Sequence, residues 1–324
     1  RCQTSQYGCH VCCILERKAA RTQSIVVSGK MTNRGLAWQG PILDNHFHLN
    51  RNGRYLDAAR DFKKAGGTNL VLIHCPDFSS PPTTREGHRI AYQNTIEMAE
   101  SVRREVGLGV RVVLGPHPAA FAHQFIQWVE QDGDGGKQQA IDNYRCSIEE
   151  AVKFYHEGKA HAIGEVGRPH WKVSEEIWEL SNELLLETMS WAAGDGFALQ
   201  LHVEGELEST YKDMAEMASR AGLSHDRLIR HYSPPNVDSL ITQGLTPSVL
   251  IGKGALDTLL DSAPRSSHGF LLETDYMDDL RRPGAVLGPK TVPKRTQQLI
   301  AAGIDEELMW RAHVDLPNRL YGEE

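Results

Sequence analysis

The sequence is short of three things, and each absence excludes a class of protein. It has no run approaching the ~18 consecutive apolar residues that a membrane-spanning helix needs. It has no excess of positive charge: 42 Asp and Glu against 35 Lys and Arg give a net charge of −7. That balance excludes a protein that coats nucleic acid by bulk attraction, although it leaves room for a local basic patch. Cysteine is scarce, since only Cys75 and Cys146 follow Cys13. Such scarcity is expected of a reducing, cytoplasmic setting, where structural disulfides are rare. What is present, 40% hydrophobic and 24% charged residues over 324 positions, excludes disorder, collagen and coiled coil as overall descriptions.

The remaining cysteines, Cys2, Cys9, Cys12 and Cys13, crowd the start of the chain with His10 among them. Thiolates and imidazole suit zinc, but the spacing matches no common finger and no second ligand pair follows. No charged start, apolar core and small-residue cleavage site are present, so no secretory signal is expected. Residues 1–30 are expected to be an extension outside the fold, and residues 31–324, from Met31 on, to form one domain.

From Pro41 the chain alternates short apolar runs with longer amphipathic stretches. The runs are Ile42-Leu43, 69–73, 110–114, 160–163, 197–201, Leu228-Ile229, 248–251 and 269–272. They are rich in Val, Ile and Leu with little alternation, as parallel strands buried on both faces are. Helices are expected over 55–65, 89–106, 119–130, 147–157, 174–193, 206–221, 255–260, 293–302 and 305–316. The Gly-rich stretch 132–139 reads as a loop. Eight strands interleaved with helices predict an α/β fold, a single (β/α)8 TIM barrel.

Chemistry in such a barrel sits at the C-terminal ends of the strands. The first run ends in Asp44-Asn45-His46-Phe47-His48, where alternate residues point the same way and two imidazoles can share one ion. Glu165 follows the fourth run, His202 the fifth, His231 the sixth, and Glu273-Thr274-Asp275 the eighth. Each histidine taken singly reads equally well as a hydrogen-bonded structural imidazole. Taken together, His46, His48, His202, His231, Glu165 and Asp275 exceed one tetrahedral site and suit two adjacent divalent ions.

These motifs carry a resemblance. Asp44 to Leu49, Ala162 to Gly167, Leu201-His202, His231 and Leu272 to Asp275 look like the TatD family of metal-dependent hydrolases, within the amidohydrolase superfamily. Gly115-Pro116-His117-Pro118 is similar to that family's motif after strand three, and Asn318 to Gly322 to its closing Asn-x-x-Phe-Gly. Together they span residues 41 to 323 and place the chain nearest an archaeal-type subgroup. The resemblance implies one ion held by His46, His48, Glu165 and Asp275, and a second by Glu165, His202 and His231, with Glu165 bridging. Zn, Mn, Co, Ni or Mg could serve. It also implies a phosphodiesterase or deoxyribonuclease in which the ions activate water, with Asp275 and Glu165 as the catalytic carboxylates. A hydrolase of amide or ester bonds, including aminoacyl-tRNA deacylation, is the alternative, because the same site can attack carbonyl carbon.

The neighbours of these donors depart from the family. Arg168-Pro169-His170 stands where it usually has Leu-Asp-Tyr, Val203-Glu204-Gly205 where an arginine is common, and Tyr232-Ser233-Pro234 where Phe-Ser-Gly is usual. Five residues are expected to meet substrate: His74 and His117 after strands two and three, Arg168, and Arg282 and Lys290. The last two belong to a loop without an acid from 280 to 295, where cations could hold the phosphates of a nucleic acid. Trp171, Trp178 and Trp191 are read as helix packing.

Overall fold

The computed structural model describes residues 37–281 and 286–323. The N-terminal cysteine cluster, Met31 and Arg282 lie outside them. Eight parallel strands pair in sequence order: β1 (Leu43–Phe47), β2 (Asn69–Ile73), β3 (Gly109–Leu114), β4 (Ala162–Gly167), β5 (Leu199–His202), β6 (Leu228–Ser233), β7 (Thr246–Leu250) and β8 (Leu271–Glu273). Each overlaps one of the eight apolar runs, β1 by Leu43 alone.

The helices outside them are α1 (Leu56–Lys64), α2 (Arg85–Val106), α3 (Pro118–Asp132), α4 (Asp134–His156), α5 (Glu175–Asp195), α6 (Glu208–Ala221), α7 (Ser239–Thr242) and α8 (Leu256–Ser262). After β8 come α9 (Thr291–Ala301), α10 (Glu306–Trp310) and α11 (Leu316–Tyr321). The result is a (β/α)8 TIM barrel. Among the described residues, no helix is long and apolar enough to cross a membrane.

The seam between β8 and β1 is closed largely by side chains. Thr274 donates to the Asp44 carboxylate through its N–H (3.0 Å) and its hydroxyl (2.7 Å). Further along the same seam, His48 N–H donates to the Tyr276 carbonyl at 2.8 Å. Asp278 adds a tie, accepting the backbone N–H groups of Asn50, Arg54 and Tyr55 from the loop after β1. Both loops that carry first-strand and last-strand chemistry are thereby locked together.

One local expectation fails. Residues 132–139 are not a loop but a single-residue break at Gly133 between α3 and α4. The glycines serve helix packing: a Cβ at Gly136 would lie 1.9 Å from the Trp128 carbonyl oxygen. Composition pointed to a turn, whereas close approach of two helix backbones is what glycine permits here.

Candidate metal centre

The ends of β1, β4, β5, β6 and β8 bring the six expected donors to one mouth. His46 and His48 sit on alternate positions of β1 with their Nε2 atoms 3.1 Å apart. Glu165 reaches in from β4, its Oε1 3.7 Å from His46 Nε2, 3.1 Å from His231 Nε2 and 2.9 Å from His202 Nδ1. Its Oε2 is 3.7 Å from His48 Nε2. Asp275 Oδ1 lies 3.8 Å from His46 Nε2 and 3.6 Å from His48 Nε2. Glycine makes room for the carboxylate on β4: a Cβ at Gly164 would meet Gln200 Cβ at 2.7 Å, and one at Gly167 the His202 carbonyl oxygen at 2.0 Å.

The outer nitrogens fix which face of each ring is free. His48 Nδ1 contacts the Ile73 carbonyl at 3.2 Å, and a carbonyl can only accept. His231 Nδ1 contacts the Glu273 carboxylate at 3.2 Å, again an acceptor. His46 Nδ1 lies 2.9 Å from Gln200 Oε1. The Gln200 amide is oriented by donating from Nε2 to the Asn45 carbonyl and the Tyr321 hydroxyl. As neutral rings, all three imidazoles therefore carry their proton on Nδ1 and turn an Nε2 lone pair inward.

Three inward lone pairs and two carboxylates at 3–4 Å repel one another unless something positive lies between them. The chemistry of this donor set thus fits divalent cations, and groups of a His46, His48 and Asp275 atom, and of a His117, Glu165 and His202 atom, each fall within 4.8 Å of one another. Glu273 also lies close to His46 and His231. Its oxygens are occupied by the Ser248 hydroxyl, His231 Nδ1–H and the Tyr232 N–H, so it supports rather than faces the mouth.

Protonation follows this arrangement. Burial opposes ionisation of Glu165, but the charges of His46, His231 and His117 outweigh it and hold the carboxyl well below its usual range. Asp275 is likewise held down, burial being overcome by the His48 hydrogen bond and the nearby imidazoles. Burial drives His46 down, whereas His231 is raised well above its usual value because Glu273 and Glu165 flank it and override burial.

The five expected substrate contacts divide. His117 caps α3, its Nδ1 accepting the Ala119 N–H at 3.0 Å, so its proton sits on Nε2. Its ring centroid is 4.3 Å from that of His202, at the edge of the mouth. His74 hydrogen-bonds Thr95 through Nδ1 (2.9 Å), and burial pushes it down to about 3.

Arg168 turns away. Its guanidinium grips Glu204 and Asn182, pairs with Asp213, and lies 4.4 Å over the Trp178 ring. Lys290 pairs with Asp61 of α1 at 3.3 Å, and Arg281 with Asp279 at 3.0 Å. Arg282 lies outside the described residues. Trp178 packs beneath Arg168, as expected of a packing residue.

Sequence reasoning missed Asn45, Gln200, Ser248, Glu273 and Tyr321 as parts of this centre. A signal existed: Gln200 and Ser248 are buried polar residues inside otherwise apolar strands, and such groups need partners.

A (β/α)8 barrel whose strand ends gather imidazoles and carboxylates has the make-up of a metal-dependent hydrolase. The description TatD related DNase matches residues 43–322, and the chain belongs to that family. An uncharacterized protein of Methanocaldococcus jannaschii is 32% identical over 288 residues, covering 87% of this chain and 95% of that one. A TatD-like protein of Archaeoglobus fulgidus superposes with a TM-score of 0.54 at 16% identity, covering 86% of this chain and 99% of the other. A TatD homolog of Escherichia coli gives 0.55 at 16% identity, over 87% and 98%. These two structures share the fold.

Proposed function

We propose that this chain is a phosphodiesterase of the deoxyribonuclease type, using divalent metal. His46, His48, Glu165 and Asp275 would hold one ion, and Glu165, His202 and His231 a second. When bound, the ions supply positive charge that favours ionisation of water and offsets charge on the oxygens of the reacting ester. The observation that carries the reading is the convergence of inward Nε2 lone pairs on the Glu165 carboxylate.

The protein's own groups then have defined tasks. Asp275, at a left-handed backbone position (φ 49°), projects from the strand end while Thr274 is anchored to Asp44. Its ionised carboxylate accepts the proton of the attacking water. His117 presents an Nε2–H donor to a phosphoryl oxygen, because its Nδ1 is occupied by the α3 cap. The family description supports phosphorus as the reaction centre.

A second reading, attack on an ester or amide carbonyl, draws on one observation. Lys290, a cation expected to hold phosphates, and Arg168, expected to meet substrate, are both paired with acids. The test sets a single-stranded DNA oligonucleotide and bis-p-nitrophenyl phosphate against amide, lactone and aminoacyl-ester substrates on metal-loaded protein. Phosphodiester turnover that disappears with chelator and in Asp275→Asn supports the proposal. Turnover confined to carbonyl substrates overturns it in favour of the second reading.

A further inference from the structure

His202 differs from the other three imidazoles of the mouth. Its Nδ1, not its Nε2, faces inward, 2.9 Å from Glu165 Oε1 and 3.3 Å from His231 Nε2. Its outer nitrogen, Nε2, meets neither a carbonyl nor a carboxylate. It lies 2.7 Å from Nδ1 of His170, another imidazole.

Sheet register explains why His170 is there. Gly167 and His202 are paired neighbours on β4 and β5, and Arg168 N–H continues the ladder to the His202 carbonyl at 3.0 Å. Pro169 keeps the preceding residue extended, carrying the chain past the end of β5. The His170 ring then lies with its centroid 4.8 Å from that of His202. Trp171, packed on the core and beside His123, backs it at 5.2 Å edge to face.

A single proton occupies the 2.7 Å contact, and its direction matters. If His170 donated, neutral His202 would carry its own proton on Nδ1 and close its inward face to a cation. If His170 accepts, the His202 proton is on Nε2 and the Nδ1 lone pair joins those of His231 and Glu165. The inward face already holds His231 Nε2, whose ring proton is committed to Glu273, and Glu165, which accepts only. A cation there is compatible with the second arrangement alone.

We infer that His170 is a positioning residue for the second metal position: its Nδ1 accepts the Nε2–H of His202, fixing that ring's tautomer and aim. The inference rests on the ligand set proposed above, but not on the substrate. His170 belongs to the Arg168-Pro169-His170 segment, one of the places where this chain departs from its family's pattern. Ligating histidines are commonly oriented through their second nitrogen by a carboxylate, carbonyl or water. Here an exposed rim imidazole takes that place.

Two substitutions test this in the full chain. His170→Leu keeps bulk and removes the acceptor; His170→Asn keeps an oxygen close to the position of Nδ1. Zinc alone is the probe, its content per chain measured after equilibration with a graded series of chelator concentrations. Melting of the metal-free proteins is followed alongside. His170→Leu is expected to release one of its ions at about tenfold lower chelator strength, with melting unchanged, and His170→Asn to stay within about twofold of the parent.

Retention of both ions by His170→Leu as tightly as by the parent overturns the inference. So does an equal loss in both variants, since the acceptor would then not be the cause. The zinc count needs no phosphodiester, so failure of the substrate reading leaves this result standing, and the reverse.

Discussion

The Tyr321 hydroxyl and the Gln200 side-chain amide lie 2.8 Å apart inside the barrel, the amide donating to the hydroxyl. That hydroxyl donates onward to Asn45 Oδ1 at 2.8 Å, and Asn45 Nδ2 donates to the Ser248 hydroxyl at 2.9 Å. Ser248 ends on Glu273, which accepts from His231, while Gln200 Oε1 accepts from His46. A buried hydrogen-bonded chain thus joins two imidazoles of the mouth from beneath, every donor meeting an acceptor.

Tyr321→Phe breaks that chain at its centre. The ring fits, since the family pattern has phenylalanine at this position, but Asn45 loses a donor and Gln200 an acceptor. The expected outcome is a stability loss of about 1–3 kcal/mol in urea unfolding of the metal-free protein. Zinc retention should also fall, because only the Asn45 carbonyl then sets the Gln200 amide toward His46. Unchanged values in both measurements would show that the hydroxyl orders nothing.

The ion-pair assignments of Arg168 and Lys290 separate structural from substrate roles. Arg168 is 4% exposed and replacing it with alanine leaves the mostly buried Glu204 without its cation, Asp213 being solvated, so a stability loss of about 1–3 kcal/mol is expected in chemical denaturation. The KM for an anionic substrate should move little. Lys290→Ala should leave both KM and its dependence on salt unchanged. A large rise in KM for either variant, with stability intact, would restore the substrate-binding role that the sequence suggested.

Part of the acid sensitivity should arise away from the donors of the mouth, at His313. Its Nδ1 accepts the Leu43 N–H at 3.1 Å and burial pushes it down to about 4 from an ordinary 6.5. The unfolded chain takes up this proton first, so stability is full above about pH 6.5 and falls as pH drops toward 4. The loss reaches at most about 3 kcal/mol. His313→Gln should flatten the melting temperature against pH over that window; an unchanged slope would place the sensitivity elsewhere.

The barrel was legible because parallel strands buried on both faces leave uninterrupted apolar runs, and all eight appear. The convergence of the six expected donors was legible because strand ends are where such a fold exposes side chains. The polar chain beneath them was not, since Asn45 and Tyr321 meet across 276 positions and no local pattern joins them. Arg168 misled for a related reason: its charge is readable, but its partner Asp213 sits on α6, which only the folded barrel brings near. The α3–α4 break misled because glycine was weighed as a turn former when the helices needed its missing side chain.

The dependence of His46 on Tyr321 has a consequence during synthesis. A ribosome delivers the donors of the mouth well before α11, and until that helix leaves the exit tunnel and docks, Gln200 lacks one of the partners that set its amide. A nascent chain, or a copy clipped ahead of residue 321, would hold Gln200 by the Asn45 carbonyl alone, and His46 less firmly. The last helix of the barrel to be made therefore completes the support of His46, the first of the expected donors in the chain.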